Sequence, residues 1–220
     1  MEGGGWGRMT VMQLCGGTLV VDEPEELLLA YVDPDGPYAF PAYDELVTNG
    51  SAELVDGDLL APSLLDAHVD YARFVLLKRM LPSLREGMAG LPKTALEDTD
   101  DAGIAAVARC FAVLDEVVFA RAGARGTIVS KVLHRKRPDL IPLYDSRIWT
   151  AYTVSGAIGR GSQRPWVEVM QALCHSMRAD LRHNLPEFQA LQATAAEKGA
   201  RLTLLRILDV LVWMSSEPPG

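Results

Sequence analysis

At 220 residues, 49% hydrophobic and 23% charged, the chain has the make-up of one ordinary globular domain with a sizeable core. Its composition excludes a membrane span, since no apolar run approaches the roughly 18 residues needed, and three scattered cysteines, Cys15, Cys110 and Cys174, exclude a disulfide framework and a CxxC zinc site. A net charge of −8 works against general binding to polyanions, because long-range repulsion opposes encounter.

The N-terminal MEGGGWGRMTVMQ has no basic region followed by an apolar run, so it reads as a flexible leader and not a signal peptide, and a cytoplasmic location is expected. Thr10–Leu14 and Thr18–Val21 are β-prone runs around Cys15-Gly16-Gly17, the pattern of a small hairpin. Asp22, followed by Glu23-Pro24-Glu25-Glu26, starts a helix that runs to about Tyr31 and stops at Asp33-Pro34-Asp35-Gly36-Pro37. Pro41-Ala42-Tyr43-Asp44 is a candidate start for a short helix, and Asn49-Gly50 and Asp56-Gly57 are turns. A long helix is expected over about 63–81, with Ser63 and Asp66 as a capping pair and Leu64, Leu65, Val69, Ala72, Leu76 and Met80 on its buried face. Residues 82–101 are loop-rich, and their acidic cluster leads into a helix over about 102–122. His68 and Asp70 form an isolated HxD with no partner motif, so neither a metal nor a cofactor is expected.

Charge is unevenly spread. Residues 1–120 carry a balance of −14, residues 121–147 of +5 and residues 148–220 of +1. The basic island falls in Ser130–Thr150, SKVLHRKRPDLIPLYDSRIWT. After Gly123 and Gly126 a helix starts near Thr127, buries Ile128, Val129, Val132 and Leu133, and turns Lys131, His134 and Arg135 outward. Pro138 ends it, and the strap from Pro138 to Pro142 is expected to run extended. Asp145 follows, just ahead of a helix over about 147–154, which brings a carboxylate near the Lys131 helix.

Each of these residues has two readings. Asp145 is a site carboxylate or simply the N-cap of the next helix. The cations hold an anion or pair with the acidic N-terminal half, and Tyr144 and Trp149 line a cleft or fill the core. His134 is an anion contact, a catalytic group or a surface residue. Beyond them, Gly156–Ser162 holds G-x-x-G-x-G without a preceding strand, which is not the dinucleotide fingerprint. Pro165 opens a helix to about His183, Pro186 opens another, and residues 201–214 form a last, strongly apolar one. The expected fold is mainly α. A leader and short β element occupy 1–21, and a single helical domain of about seven helices occupies 22–220.

Two blocks carry a resemblance. Ser130 to Pro138 with Ile141-Pro142-Leu143-Tyr144-Asp145-Ser146, and earlier Asp58-Leu59-Leu60-Ala61-Pro62-Ser63-Leu64-Leu65, resemble an actinobacterial family known only as a domain of unknown function. The order of glycine turn, lysine-bearing helix, proline segment and aspartate at a helix start is also similar to helix-hairpin-helix DNA glycosylases. That second likeness implies a glycosylase-like helical core. It implies for Asp145 the role of the aspartate that assists base–sugar cleavage, and for Lys131 that of the lysine some members use. The glycosylase hairpin carries G-x-G after Leu-Pro, whereas no proline precedes Gly123 and Gly126 here.

The expected function is therefore an enzyme on a glycosylase-like scaffold acting on an anionic or nucleobase-like small molecule, with specialised metabolism as its setting. Asp145 and Lys131 are the candidate catalytic residues. His134, Arg135, Arg137, Tyr144, Arg147 and Trp149 are the candidate substrate and anion contacts. The alternatives are a DNA-glycosylase-like enzyme and a non-catalytic module that docks nucleic acid or an acidic protein on the basic island. The acidic balance disfavours nucleic acid, and no membrane partner is expected.

Overall fold

The computed structural model describes residues 11–38, 40, 42–46, 53–121, 125–159 and 164–216. Strands β1 (Val11–Leu14) and β2 (Leu19–Asp22) pair antiparallel, Val11 opposite Asp22 and Leu14 opposite Leu19. The turn between them places Cys15, Gly16 and Gly17 at φ of 54°, 65° and 86°, a left-handed run in which two of three positions are glycine. Period-2 alternation buries Met12, Leu14 and Val21 and leaves Val11 and Val20 outside.

Nine α-helices are found among the described residues: α1 (Pro24–Val32), α2 (Tyr71–Ala89), α3 (Asp101–Arg109), α4 (Val117–Arg121), α5 (Gly126–His134), α6 (Ser146–Val154), α7 (Trp166–His183), α8 (Leu185–Glu197) and α9 (Leu204–Ser215). The protein is mainly α with a small N-terminal sheet, and it has more helices than the sequence suggested. Helix α9 lies at the centre. Every residue from Leu204 to Val212 is buried, and the helix packs on α1, α6, α7, α8 and β2. A helix that is apolar on all sides is stable only when neighbours surround it.

The hairpin is fastened to this body by one buried carboxylate. Asp180 of α7 accepts the N–H groups of Cys15 (2.8 Å) and Gly16 (3.1 Å) and the hydroxyl of Tyr152 (2.8 Å). Asn184 adds a bond from its amide to Gln13 O (3.1 Å).

Three expected elements differ, each for a visible reason. The helix over 63–81 is displaced. Two 3-10 turns, Asp56–Leu59 and Ala61–Leu65, come first, and α2 begins only at Tyr71. Asp66 sits at φ 55°, which stops the second turn, and Asp70 is the real cap, accepting Arg73 N–H at 2.8 Å. Helix α2 then runs through Pro82, whose ring lies on the exposed side, where a loop was expected. The helix over 102–122 is broken into α3, a 3-10 turn over Ala112–Asp115 and α4. Cys110, Phe111, Val113 and Leu114 are all buried, more than one face of a continuous helix can hide. The strap after α5 is a turn and not an extended run: Leu140 and Ile141 N–H groups both donate to Arg137 O (3.1 and 2.9 Å), and both side chains are fully buried. The leader at Gly3–Gly7, Asn49-Gly50, Gly123 and residues 160–162 of the Gly156–Ser162 loop lie outside the described residues. No helix among the described residues is long and apolar enough to cross a membrane.

The Asp180 junction gives a direct expectation. Asp180→Ala leaves three donors unpaired, those of Cys15 and Tyr152 in a buried place, which should cost about 2–4 kcal/mol. Amide exchange at Cys15 and Gly16 should accelerate more than that of α9, as followed by hydrogen–deuterium exchange. Unchanged exchange at the hairpin would show that Asp180 does not hold it.

Candidate functional site

A cavity of about 730 Å³ opens where α1, the Ala61–Leu65 turn, α5, α6 and α9 meet. This is the size of an ordinary small-molecule site. Its lining includes the aromatic Tyr31, Tyr38 and Trp213 and the charged Lys131, Asp145, Asp209, Arg147, Arg125 and Asp66.

Asp145 stands at the start of α6. Its Oδ1 accepts the N–H groups of Arg147 (2.9 Å) and Ile148 (3.0 Å), so it is the helix cap. It also lines the cavity and is half-buried, with Oδ2 free of hydrogen bonds among the described residues. The two readings of this residue are compatible in one geometry.

Lys131 points inward and not outward. Helix α5 is buried along most of its length, and Lys131 keeps only 6% of its surface exposed. Its Nζ donates to Leu65 O at 2.7 Å, the last carbonyl of the neighbouring 3-10 turn. Burial lowers the pKa of this amine below the usual lysine range, although Asp145 and Asp209 pull the other way.

The floor of the cavity is a buried ionic network around Arg206 of α9. Its Nε donates to Asp44 Oδ1 (2.7 Å), its Nη2 to Tyr31 Oη (2.5 Å), and its Nη1 to Asp209 Oδ2. Tyr31 Oη donates onward to Asp44 Oδ2 at 2.5 Å. One guanidinium therefore faces two buried carboxyls, and they divide. Burial alone would raise both. At Asp44 the Arg206 charge and the bonds from Arg206 and Tyr31 overcome burial and hold the carboxyl below its usual range. At Asp209 burial outweighs the Arg206 charge, Asp145 adds repulsion, and the carboxyl is raised to about 7.

Arg147 donates from Nη1 to Trp213 O (2.9 Å) and lies over the Trp213 ring at 4.3 Å. The Arg125 side chain, at the exposed edge, has no hydrogen bond or ion pair among the described residues. Gly126, the first residue of α5, is a packing glycine: a Cβ there would lie 2.2 Å from the Trp166 ring.

The structure thus brings Asp145, Lys131 and Arg147 together and puts the other candidates elsewhere. His134 is fully buried, not on the surface. Its Nδ1 donates to Ile141 O (2.7 Å), its ring stacks on Tyr43, and burial with the nearby Arg206 charge lowers its pKa to about 4. Arg135 lies over the Tyr43 ring and donates to the carbonyls of Asp44 and Leu46. Arg137 staples the loop before α3 to the strap, bonding Pro92 O (2.6 Å), Thr94 O (3.1 Å) and Asp139 (3.0 Å). Lys136, between them, forms a buried ion pair with Asp58 (3.0 Å). Tyr144 packs with Trp149 and Trp166 away from the cavity lining.

Asp209, Arg206, Tyr31, Tyr38 and Trp213 were not singled out from sequence. A signal for two of them exists: Leu204-Leu205-Arg206-Ile207-Leu208-Asp209-Val210 carries opposite charges three residues apart in an otherwise apolar helix, and such charges must find partners. No group of three or more His, Cys, Asp or Glu side chains suited to a metal ion is found among the described residues.

The model of a family described as "Family of unknown function (DUF6308)" matches residues 24–216. No curated protein and no solved structure matches the chain.

The Asp209 carboxyl makes stability depend on pH in a defined direction. An unfolded aspartate titrates near about 3.9, and folded Asp209 titrates at about 7. Its contribution to stability is complete below the lower value and lost as the pH rises through the upper one. The Tm of the Asp209→Asn protein should therefore gain on that of wild type between about pH 4 and about pH 7 and level off above, measured by calorimetry. A constant difference across that range would contradict the assignment.

Proposed function

The chain belongs to the DUF6308 family, to which no activity is attached, and we propose that it is an enzyme acting on a small anionic or nucleobase-like molecule through Asp145. The observation that carries this reading is that Asp145 and Lys131 share one cavity with two arginines that have donors to offer, Arg147 and Arg125. The arginines hold the anionic group by charge-assisted hydrogen bonds. Tyr31, Tyr38 and Trp213, set at angles to one another, give the cavity aromatic surface against which a ring can pack. The open oxygen of Asp145 stabilises positive charge on the reacting carbon or takes a proton, and Lys131 supplies an amine beside it.

We propose a glycosylase-like scaffold from the chain order of lysine-bearing helix, proline-bounded segment and aspartate at a helix start. A small molecule is favoured over nucleic acid by the fate of the basic run. Arg135, Lys136 and Arg137 each bond to partners inside the protein, so this run presents no cationic strip for a phosphate backbone.

A thermal-shift panel of small anions, including nucleoside monophosphates and sugar phosphates, tests the reading. A ligand at ten times its Kd should add about 1.4 kcal/mol and raise Tm by roughly 3–6 °C. Arg147→Gln should lose most of that response, while Asp145→Asn, which keeps a cap acceptor, should retain it and melt within a few degrees of wild type. An undiminished response in Arg147→Gln, or stabilisation by neutral compounds alone, would sink the proposal.

A further inference from the structure

The cavity holds a second carboxyl built as the counterpart of the first. Asp145 gives Oδ1 to two backbone N–H groups, and Asp209 gives Oδ2 to Arg206. Neither remaining oxygen has a hydrogen-bond partner among the described residues, and both residues line the same space. Each carboxyl is therefore held by one oxygen and open through the other.

Their surroundings differ in the way an acid and a base require. Asp145 is half-buried at the N-terminus of α6, with two backbone N–H groups on one oxygen and the other oxygen facing the cavity. Asp209 is buried on the central helix, beside a guanidinium that makes three of its contacts to Asp44 and Tyr31. The groups acting on Asp209 are Arg206 on its own helix, Asp145 from the cap of α6, Lys131 from α5 and Tyr31 from α1. Burial and Asp145 favour its protonated form; Arg206 and Lys131 oppose them and do not prevail.

Resting on the functional reading above, we propose that Asp209 is the proton donor of this site and Asp145 the proton acceptor, and that the substrate is a small anion whose carbon–heteroatom bond is hydrolysed. Water attacks the carbon, and its departing proton passes to the open oxygen of Asp145. The carbon–heteroatom bond breaks, the heteroatom leaves with the bonding electron pair, and it takes the proton of Asp209. Solvent then removes the proton from Asp145 and returns one to Asp209. Substrate and water become a hydroxyl product and a protonated leaving group, and the enzyme is unchanged.

The assignment has a chemical test that needs no substrate. A small diazoacetyl reagent esterifies a carboxyl in its protonated form, whereas a small epoxide alkylates a carboxylate. At about pH 6 an ordinary aspartate is roughly 1% protonated. The diazo reagent, with peptide mass mapping, should therefore ester-label Asp209 at least about tenfold faster than any other carboxyl. Labelling should fall about tenfold per pH unit above its midpoint. The epoxide should label Asp145 within the cavity. In Asp145→Asn the diazo midpoint of Asp209 should move to lower pH, because a neighbouring negative charge is gone. Preferential esterification of another carboxyl, or a midpoint indifferent to Asp145→Asn, would overturn the pairing. Anion binding in the thermal-shift panel without Asp209 labelling would overturn this inference alone. Asp209 labelling without any response to anions would overturn the anionic-substrate reading and leave the two carboxyl roles standing.

Discussion

A buried guanidinium with more carboxylate than it can neutralise organises this protein. Arg206 is 4% exposed in the middle of α9, and it reaches Asp44, Asp209 and Tyr31 at once. Taking a charge out of water costs several kcal/mol, and only close, well-bonded partners offset it. The partners come from α1, from the turn over residues 42–45 and from α9 itself, so the pairing ties the first third of the chain to the last helix. It also leaves an excess. With Asp44 and Tyr31 together holding three of the guanidinium's four bonds among the described residues, Asp209 keeps its proton to a pH where an ordinary aspartate is ionised. The same interaction thus fastens the core and sets up a protonated carboxyl on a cavity wall.

The basic run Arg135-Lys136-Arg137 shows how local charge misleads. In a protein of net charge −8, seven cations within residues 121–147 suggest an outward patch. The fold turns the three consecutive ones inward, onto carbonyl groups at Leu46, Pro92 and Thr94 and onto the carboxylates of Asp58 and Asp139. Their work is to tie the turn ending at Leu46, the 3-10 turn holding Asp58 and the loop before α3 to the end of α5. The cations that face the cavity are separated in sequence: Arg125, Lys131, Arg147 and Arg206.

Where local chemistry decides the structure, the sequence was readable. Asp145 at a helix start, the glycine-centred hairpin and the proline-opened α7 and α8 follow from capping and turn rules, and the structure has them. Where tertiary packing decides, it was not. Ser63 with an apolar stripe looked like a helix start, but Pro62 and left-handed Asp66 make a 3-10 turn whose last carbonyl receives Lys131. Lys131 looked exposed because α5 has an apolar stripe, yet the cavity places its amine inside. Asp44 and Tyr31 have no local signature, since their partner lies more than 160 residues away. Asp209 was legible in principle as a charge in an apolar helix, but its role depends on a pairing that only the fold creates.

The claim at the centre of this account is that the cavity performs chemistry through Asp145. The most direct measurement incubates wild-type and Asp145→Asn protein with a small-molecule extract and follows every anionic species by mass spectrometry. The account predicts that one anion is consumed by the wild type, with a product heavier by water or split by it, and that Asp145→Asn binds the same anion without consuming it. Equal consumption by both proteins, or none by the wild type while the anion remains bound, would contradict it.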